Sequence, residues 1–425
     1  MDNRQVQTIS YSNLMTQKQA LKILKSGANV FLTGSAGTGK TFLLNQFISH
    51  LRKTRVKVGV TASTGIAATH LEGRTVHSWS GIGIKKDMDE KSIKSVAKDK
   101  RINKRVKETQ ILIIDEISML DADRLGLVDR VCKKIKDPFL PFGGIQIIMC
   151  GDFFQLPPVS QDQMPKFAYE SSAWQKANIK VCYLSKQFRQ NDSKFTNVLN
   201  KIRENKAGAA ELELLKTRLH QPINLSIKPT QLYTHNIKVD AINDYELSRI
   251  SRKEMIYYMT DDGPKNLVDF LKKNCLSPEE LKLKIGAIVM FVKNNFEAGY
   301  VNGTLGKVID YDDNECPLVR TTSGREIIVL PTKWSIEGDD QIIASIKQIP
   351  LRLAWAITIH KSQGMSLDAA EIDLSKSFQY GMGYVALSRI RKLDNIKLMG
   401  INQIALRVSP VIVEKDKEFK KLSEI

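Results

Sequence analysis

A glycine-rich sequence that follows a short apolar run most strongly constrains the fold. Residues 34–41 read GSAGTGKT, a complete G-x-x-x-x-G-K-[ST] pattern, and the β-branched run from Val30 to Thr33 precedes them. Between a strand and a helix, the amides of such a loop surround phosphates, Lys40 binds the β and γ phosphates, and the Thr41 hydroxyl binds Mg²⁺. The sequence therefore predicts an α/β nucleotide-binding domain with these loop residues: Gly34, Ser35, Ala36, Gly37, Thr38, Gly39, Lys40 and Thr41.

Two further apolar runs end in polar side chains that suit nucleotide hydrolysis. The run from Ile111 to Ile114 leads into Asp115 and Glu116, and a later run ends in the sequence GDFFQLPP, which contains Gln155. One carboxylate can hold Mg²⁺ while the next accepts a proton from water. We therefore predict Asp115 as a metal ligand, Glu116 as the general base, and Gln155 as the residue that senses the γ phosphate.

The spacing of strand-like runs predicts two α/β domains and an insertion. Residues 1–180 alternate β-branched runs with helical stretches, which is typical of a doubly wound parallel sheet. Similar patterns at 181–248 and 341–425 predict a second α/β domain. Residues 249–340 contain short strands joined by turns, and this pattern indicates an inserted small β-barrel domain.

The second domain offers cations that can reach the nucleotide from the opposite side. Arg189 and Arg389 each follow an apolar, strand-like run, the placement expected of a cation that stabilises the γ-phosphate transition state. Another cluster, suited to phosphate contacts or to coupling across a cleft, follows the run at 351–359: His360, Lys361, Ser362 and Gln363.

The charge balance points to a polyanionic partner. The chain has 425 residues, and 64 Lys and Arg against 46 Asp and Glu give a net charge of +18 at pH 7. Part of this charge lies in residues 85–110, which we expect to form helices or a solvated surface. Residues 414–425 are also charged, and we expect them to be a frayed tail.

Several classes of protein are excluded. The five cysteines include no C-x-x-C pair and the six histidines do not cluster, so neither a disulfide framework nor a zinc site is supported. No apolar run approaches the ~20 residues of a membrane helix. Residues 1–16 lack the order of a signal peptide. We therefore expect a soluble protein of the reducing cytoplasm with no membrane partner.

The ordered set of motifs resembles the Pif family (petite integration frequency) of superfamily 1B DNA helicases. The resemblance runs from about Met15 to Ile396, with the pieces in family order. Besides the loop at 34–41, it rests on residues 62–68, 75–78, 115–120, 151–158 and 355–364. The segment 118–129 resembles the family's own marker and favours it over RecD-like relatives. The chain is expected to be a minimal core of the bacterial or phage kind.

This resemblance implies a fold of two RecA-like P-loop NTPase domains, with a wedge insertion at about 71–83 in the first and the β-barrel in the second. It implies an ATP- and Mg²⁺-dependent motor that moves 5′ to 3′ on single-stranded DNA and unwinds forked duplexes, with G-quadruplexes and RNA–DNA hybrids as further substrates. Replication, repair, recombination and telomere maintenance are the implied roles. A monomer is the family expectation, with dimerisation on DNA left open, and the activity would be associated with the nucleoid.

The resemblance also implies roles for individual residues at the positions that match the family's motifs. Gln19 would read adenine, and Arg189 and Arg389 would be the arginine fingers. The DNA track would be lined by Ser63, Thr64, His77, Ser78, Thr234, Asn236, His360 and Ser362. Met382, Val106 and His235 depart from the family pattern.

Three other readings stay open at this point. One is a single-stranded DNA translocase subunit of a RecD-like complex, which needs a partner nuclease. Another is a regulatory protein that binds ATP without turnover, which the intact Asp115 and Glu116 pair argues against. The third is a metabolic kinase, but such an enzyme would need neither the large positive net charge nor Arg389.

Overall fold

The computed structural model describes residues 15–83, 85–158, 166–190, 192–225, 227–233, 239–338 and 341–423. These residues form two parallel sheets surrounded by helices, and an antiparallel insertion interrupts the second of them. No helix in this part of the chain is both long enough and apolar enough to cross a membrane.

The first domain contains a six-stranded sheet in which all neighbouring strands are parallel. Its strands are β1 (Val30–Gly34), β2 (Val58–Ala62), β3 (Arg74–Thr75), β4 (Ile111–Asp115), β5 (Gln146–Cys150) and β6 (Lys180–Leu184). The spatial order is β3-β2-β4-β5-β1-β6. Because the strands are parallel, the segments after β1, β4 and β5 meet at one edge of the sheet.

The described residues of this domain contain eight α-helices: α1 (Gln17–Leu24), α2 (Lys40–Lys53), α3 (Gly65–His70), α4 (Val76–Ser80), α5 (Glu90–Lys98), α6 (Lys100–Glu108), α7 (Ala122–Ile135) and α8 (Ser172–Lys176). Residues 85–110, expected to be helical, contain α5 and α6, which Asp89 and Asp99 cap. The segment 71–83 consists of the edge strand β3 and the helix α4, whose Trp79 packs in the core.

Strand β6 belongs to the first sheet, although residues 181–184 are predicted from the sequence to open the second domain. It pairs with β1 along its whole length, from Val30 opposite Lys180 to Gly34 opposite Leu184. A short β-branched run predicts a strand but does not identify its partner, so the predicted boundary came four residues too early. The chain leaves the first sheet only after Leu184.

The next elements are α9 (Ser193–Arg203), α10 (Ala209–Lys216), β7 (Thr230–Tyr233) and α11 (Val239–Ser248). The insertion follows with β8 (Glu254–Tyr258), β9 (Thr260–Asp262), α12 (Lys265–Asn274), β10 (Glu280–Lys284), β11 (Ile288–Phe291), β12 (Leu305–Tyr311), β13 (Pro317–Thr321), β14 (Glu326–Ile328), β15 (Thr332–Gly338), β16 (Gln341–Gln348) and β17 (Leu351–Leu353). Its strands form antiparallel sheets ordered β10-β8, β14-β13-β12-β11-β17 and β15-β16-β9. Since β16 and β17 pair inside these sheets, the insertion extends beyond the predicted end at residue 340.

The second domain is completed by β18 (Ala356–Thr358), β19 (Ala370–Leu374), α13 (Met382–Ser388), β20 (Ile396–Ile401) and α14 (Pro410–Leu422). Its sheet has the order β18-β7-β19-β20, and all its neighbours are parallel. Two parallel α/β sheets with insertions are the predicted fold class, which the structure confirms.

The C-terminal helix α14 returns to the first domain. Its Phe419 ring lies 5.0 Å from the ring of Phe31 on β1 and 6.0 Å from that of Phe153, and Ile412 and Asp416 are also buried. The expectation of a frayed tail is wrong here, because the apolar residues that anchor the helix are spaced among many charged ones. The many charged residues in this part of the sequence therefore concealed the apolar face that α14 buries.

Candidate nucleotide and nucleic-acid site

The glycine-rich loop connects β1 to α2 at the edge where the parallel strands end. Gly37 has a φ of 87°, and a Cβ placed on it would lie 2.7 Å from Cβ of Arg189. Only glycine combines this left-handed backbone with so close an approach of another segment. The backbone N–H of Phe188 donates to the Gly37 carbonyl at 2.9 Å. The segment after β6 is therefore closed against the loop.

Lys40 begins α2 and lies inside the loop. Its Nζ donates to the carbonyl oxygens of Gly34 at 2.8 Å and Ser35 at 3.1 Å. Burial lowers the pKa of Lys40, and the carboxylate of Asp152 opposes that shift. Thr41, next in the helix, is exposed.

The end of β4 presents two acidic side chains beside the loop. Asp115 is buried and its Oδ1 accepts the backbone N–H of Glu116 at 2.9 Å. Glu116 has a left-handed backbone, with φ 51° and ψ 44°, which costs a non-glycine residue roughly 1–2 kcal/mol. Burial raises the pKa of Glu116, and the neighbouring Asp115 raises it further. Such strain and such a shift are typical of a catalytic position.

Arg189 and Arg389 approach this edge from the other side and are both tied to the C-terminal end of α13. Arg189 Nη1 donates to the Ser388 carbonyl at 3.1 Å, and Arg389 donates from Nε to the Val385 carbonyl at 2.9 Å. Arg389 is buried and Arg189 is half-buried. Burial, together with the charge of Arg389, lowers the pKa of Arg189 to about 9. The pKa of Arg389 is also lowered by burial, and Glu116 opposes this shift.

The residues of this cleft fit a nucleoside triphosphate. Within the described residues, the hydrogen bonds of Lys40, Arg189 and Arg389 go to uncharged carbonyl and hydroxyl oxygens. Buried cations are costly unless an anion balances them, and a polyphosphate supplies several negative charges at one place. Three buried glutamine side-chain oxygens also have no partner in the described part of the chain: those of Gln155, Gln187 and Gln190. Asp115 and Thr41 suit a Mg²⁺ bound to such a nucleotide.

Several contacts across the cleft involve residues outside the predicted site. Gln363, which follows β18, donates from Nε2 to Oε2 of Glu116 at 3.0 Å. Tyr384 on α13 accepts the N–H of Ala36 at 3.0 Å, and Gln187 Nε2 donates to Ser35 Oγ at 3.0 Å. Gln363 belongs to the polar cluster predicted from the sequence. No local sequence pattern indicates that Tyr384 and Gln187 contact the loop.

The predicted adenine contact, Gln19, lies in the capping box of α1. Its Oε1 accepts both the backbone N–H of Thr16, at 2.9 Å, and the Thr16 hydroxyl, at 2.8 Å. Gln17 is the α1 side chain that contacts the loop, where Nε2 donates to the Thr38 carbonyl at 3.2 Å. Gln19 therefore stays a prediction, with Gln17 closer to the phosphate loop in this conformation.

The residues predicted to line the DNA track differ in accessibility. His360 and Ser78 are exposed, His77 is half-buried, and Thr64 caps α3 by accepting the Ala67 N–H. Two others are buried and engaged internally: Ser63 Oγ donates to the Glu116 carbonyl at 2.6 Å, and Ser362 Oγ donates to the Ile359 carbonyl at 2.7 Å. Thr234 and Asn236 lie outside the described residues.

Two RecA-like domains that share a cation-rich nucleotide cleft define a P-loop ATPase of the helicase class. The family model described as PIF1-like helicase matches residues 13–212, and the model described as DNA helicase Pif1, 2B domain, matches residues 266–311 within the insertion. The chain belongs to the PIF1-like helicase family.

Individual relatives support this assignment. An ATP-dependent DNA helicase Pif1 from Psychrobacter sp. (strain PRwf-1) is 45% identical over 96% of this chain and 71% of its own. Another from Bdellovibrio bacteriovorus is 36% identical over 96% and 92%. Unliganded Pif1 from Bacteroides sp. superposes with a TM-score of 0.82 at 31% identity, covering 95% of this chain and 96% of that one. Bacteroides Pif1 bound to ssDNA covers 96% and 97% at the same identity, but with a TM-score of 0.62.

Proposed function

We propose that this ATP-dependent DNA helicase uses Mg²⁺ with ATP and moves 5′ to 3′ on single-stranded DNA, separating the duplex ahead of it. The observation that carries the proposal is the cleft itself. Lys40 comes from one α/β domain and is half-buried, Arg389 comes from the other and is buried, and both interact electrostatically with the strained Glu116. A nucleotide held between two domains links its hydrolysis to their relative movement.

Each residue of the cleft then has a defined task in hydrolysis. Lys40 and the loop amides bind the phosphates, and Glu116 takes a proton from the attacking water. Arg189 and Arg389 stabilise the charge that develops on the γ phosphate. Asp115 and Thr41 would hold a Mg²⁺, which would supply positive charge to offset the negative charge of the phosphates.

A turn after β18 joins the DNA side of the motor to the ATP side. His360 is exposed on this turn, and Gln363, three residues later, donates to Glu116. The N–H of Gln363 in turn donates to the His360 carbonyl at 3.2 Å. DNA that contacts His360 therefore acts on the same turn that orients the general base.

Both domains contribute to the proposed DNA track. Thr64, His77 and Ser78 lie on the first domain and His360 on the second, while Thr234 and Asn236 remain predictions. The segment 71–83 is proposed to split the duplex. Sequence-tolerant phosphate contacts and a net charge of +18 predict binding that weakens steeply with salt.

The proposed substrates are single strands and forks, with G-quadruplexes and RNA–DNA hybrids as further ones. A solved structure at TM-score 0.61 is titled as DNA unwinding at forked dsDNA by two coordinating Pif1 helicases. We therefore propose a monomer in free solution and two copies on a fork. A cytoplasmic, nucleoid-associated location follows from this substrate and is proposed with it.

The test is ATP hydrolysis with and without single-stranded DNA, combined with unwinding of duplexes that carry a 5′ or a 3′ tail. We expect DNA-stimulated hydrolysis and unwinding only from the 5′ tail, both abolished by Lys40→Ala. Unwinding from the 3′ tail would overturn the polarity. Stimulated hydrolysis without strand separation would favour the RecD-like translocase subunit, and hydrolysis indifferent to DNA would contradict the proposal.

A further inference from the structure

Arg203, the last residue of α9, is a buried arginine that the proposed mechanism does not use. Its side chain is 7% exposed, and Nη1 donates to both carboxylate oxygens of Asp152 at 2.7 Å. Nη2 donates to the hydroxyl of Tyr183 at 2.9 Å, and the guanidinium stacks on Phe154 at 4.1 Å from the ring centroid. A planar group with this many partners has a fixed orientation.

The same network reaches the phosphate-binding loop through Tyr384. The Tyr384 hydroxyl accepts from Arg203 Nη1 at 3.4 Å and from the N–H of Ala36 at 3.0 Å, and it donates to Asp152 Oδ2 at 3.4 Å. All three sites of the hydroxyl are therefore occupied. Ala36 is a loop residue, whereas Tyr384 lies on α13 of the second domain.

We propose that Arg203 is a positioning residue for the phosphate-binding loop, acting through Asp152 and Tyr384 without contacting the nucleotide. The inference rests on the proposed ATP-driven function, because it assigns a support to the same cleft. It makes the shape of the loop depend on the docking of α13.

Charge balance gives Arg203 a second effect on the loop. The Asp152 carboxylate is fully buried and is an electrostatic neighbour of the Lys40 ammonium. With Arg203 in place, the Asp152 carboxylate is neutralised by its own partner. Without it, a buried unpaired carboxylate would compete with phosphate for the Lys40 ammonium.

The C-terminal helix is the far end of this network. Asp416 on α14 accepts from the Tyr183 hydroxyl at 2.9 Å and from Arg203 Nη2 at 3.4 Å, and Lys420 lies 2.9 Å from it. The contacts that orient Arg203 therefore extend from α14 to the loop.

The first test is Tyr384→Phe, which removes only the hydroxyl. We expect a non-hydrolysable ATP analogue to bind about three- to tenfold more weakly, since one buried N–H loses its acceptor. The KM for ATP should rise by a similar factor, while kcat and single-stranded DNA affinity change little. Tyr380→Phe is the matched control, because Tyr380 is 50% exposed and lies just before α13.

The second test separates neutralisation from packing. Arg203→Met should weaken analogue binding more than Tyr384→Phe does. Arg203→Lys should bind the analogue more tightly than Arg203→Met. The double variant Arg203→Met with Asp152→Asn should recover still more of the binding, because the competing charge is gone. Normal analogue binding by Tyr384→Phe would overturn the inference, whether or not Arg203→Met folds. A wild-type chain that fails to bind the analogue would instead contradict the proposed function.

Discussion

The two faces of the ATP cleft are built in different ways. On the first-domain face, the loop at 34–41 and the pair Asp115 and Glu116 follow directly from strands of one sheet. On the second-domain face, Arg189, Gln363 and Arg389 come from three segments that are distant in sequence. The first face is specified locally, whereas the second exists only when the two domains dock.

This difference gives the second face a mechanical property that the first lacks. Arg189 and Arg389 both bond to the last turn of α13, so the positions of both side chains depend on that helix. Lys40 instead bonds to its own loop. A shift of α13 is therefore expected to disturb both arginines, whereas the loop contacts of Lys40 do not involve that helix.

The sharpest way to separate the two faces is Arg389→Ala. We expect kcat for DNA-stimulated ATP hydrolysis to fall by about 10⁴-fold, because an arginine that stabilises the transferred phosphoryl group contributes on that scale. Binding of a non-hydrolysable ATP analogue should change little, since the guanidinium acts mainly in the transition state. Steady-state hydrolysis and equilibrium analogue binding measure the two effects.

Arg391→Ala is the matched control, since Arg391 is an exposed arginine two residues further along the chain. It should retain the wild-type rate. Equal losses of analogue binding and of turnover in Arg389→Ala would mean that the second face binds ground-state nucleotide as the first does, and the comparison would fail.

On the first face, Glu116→Gln should lower kcat by about 10³-fold, because the general base is lost while its shape is kept. The amide oxygen of the new side chain can still accept the hydrogen bond from Gln363, so docking of the second domain should persist. Nucleotide and DNA binding, measured separately, should remain at wild-type levels. A rate near wild type would exclude Glu116 as the base.

The local character of the first face explains what the sequence could predict. The glycine spacing and the strand that ends at Asp115 are local signals, so the loop and the position of the two carboxylates follow from a few contiguous residues. Arg203 and Tyr384 carry no such signal, since an arginine at a helix end and a tyrosine in an apolar helix are ordinary surface and core residues. Their partners lie 51 and 348 residues away in the chain. The partner of β6 and the buried face of α14 were hidden for the same reason.

The first face also depends on the end of the chain, through Phe419. Phe419→Ala should lower the free energy of unfolding by about 3 kcal/mol, because it leaves a cavity among the rings of Phe31, Phe153 and Trp174. Denaturant unfolding measures this loss. Val411→Ala on the same helix is the control, since Val411 is 58% exposed and should cost far less. Equal effects would mean that α14 does not support the first sheet.

The smallest effect concerns the DNA track, where two residues of one turn should behave differently. His360→Ala should weaken single-stranded DNA binding about three- to tenfold, because an exposed group that reaches phosphate or base contributes about 1 kcal/mol. Ser362→Ala should leave DNA affinity within about twofold, since its hydroxyl is buried and donates to Ile359. Fluorescence titrations at two salt concentrations measure both. A larger loss of DNA affinity for Ser362→Ala would show that the turn rearranges when DNA binds. Such a rearrangement would move Gln363, so the bound strand would change the second face of the ATP cleft.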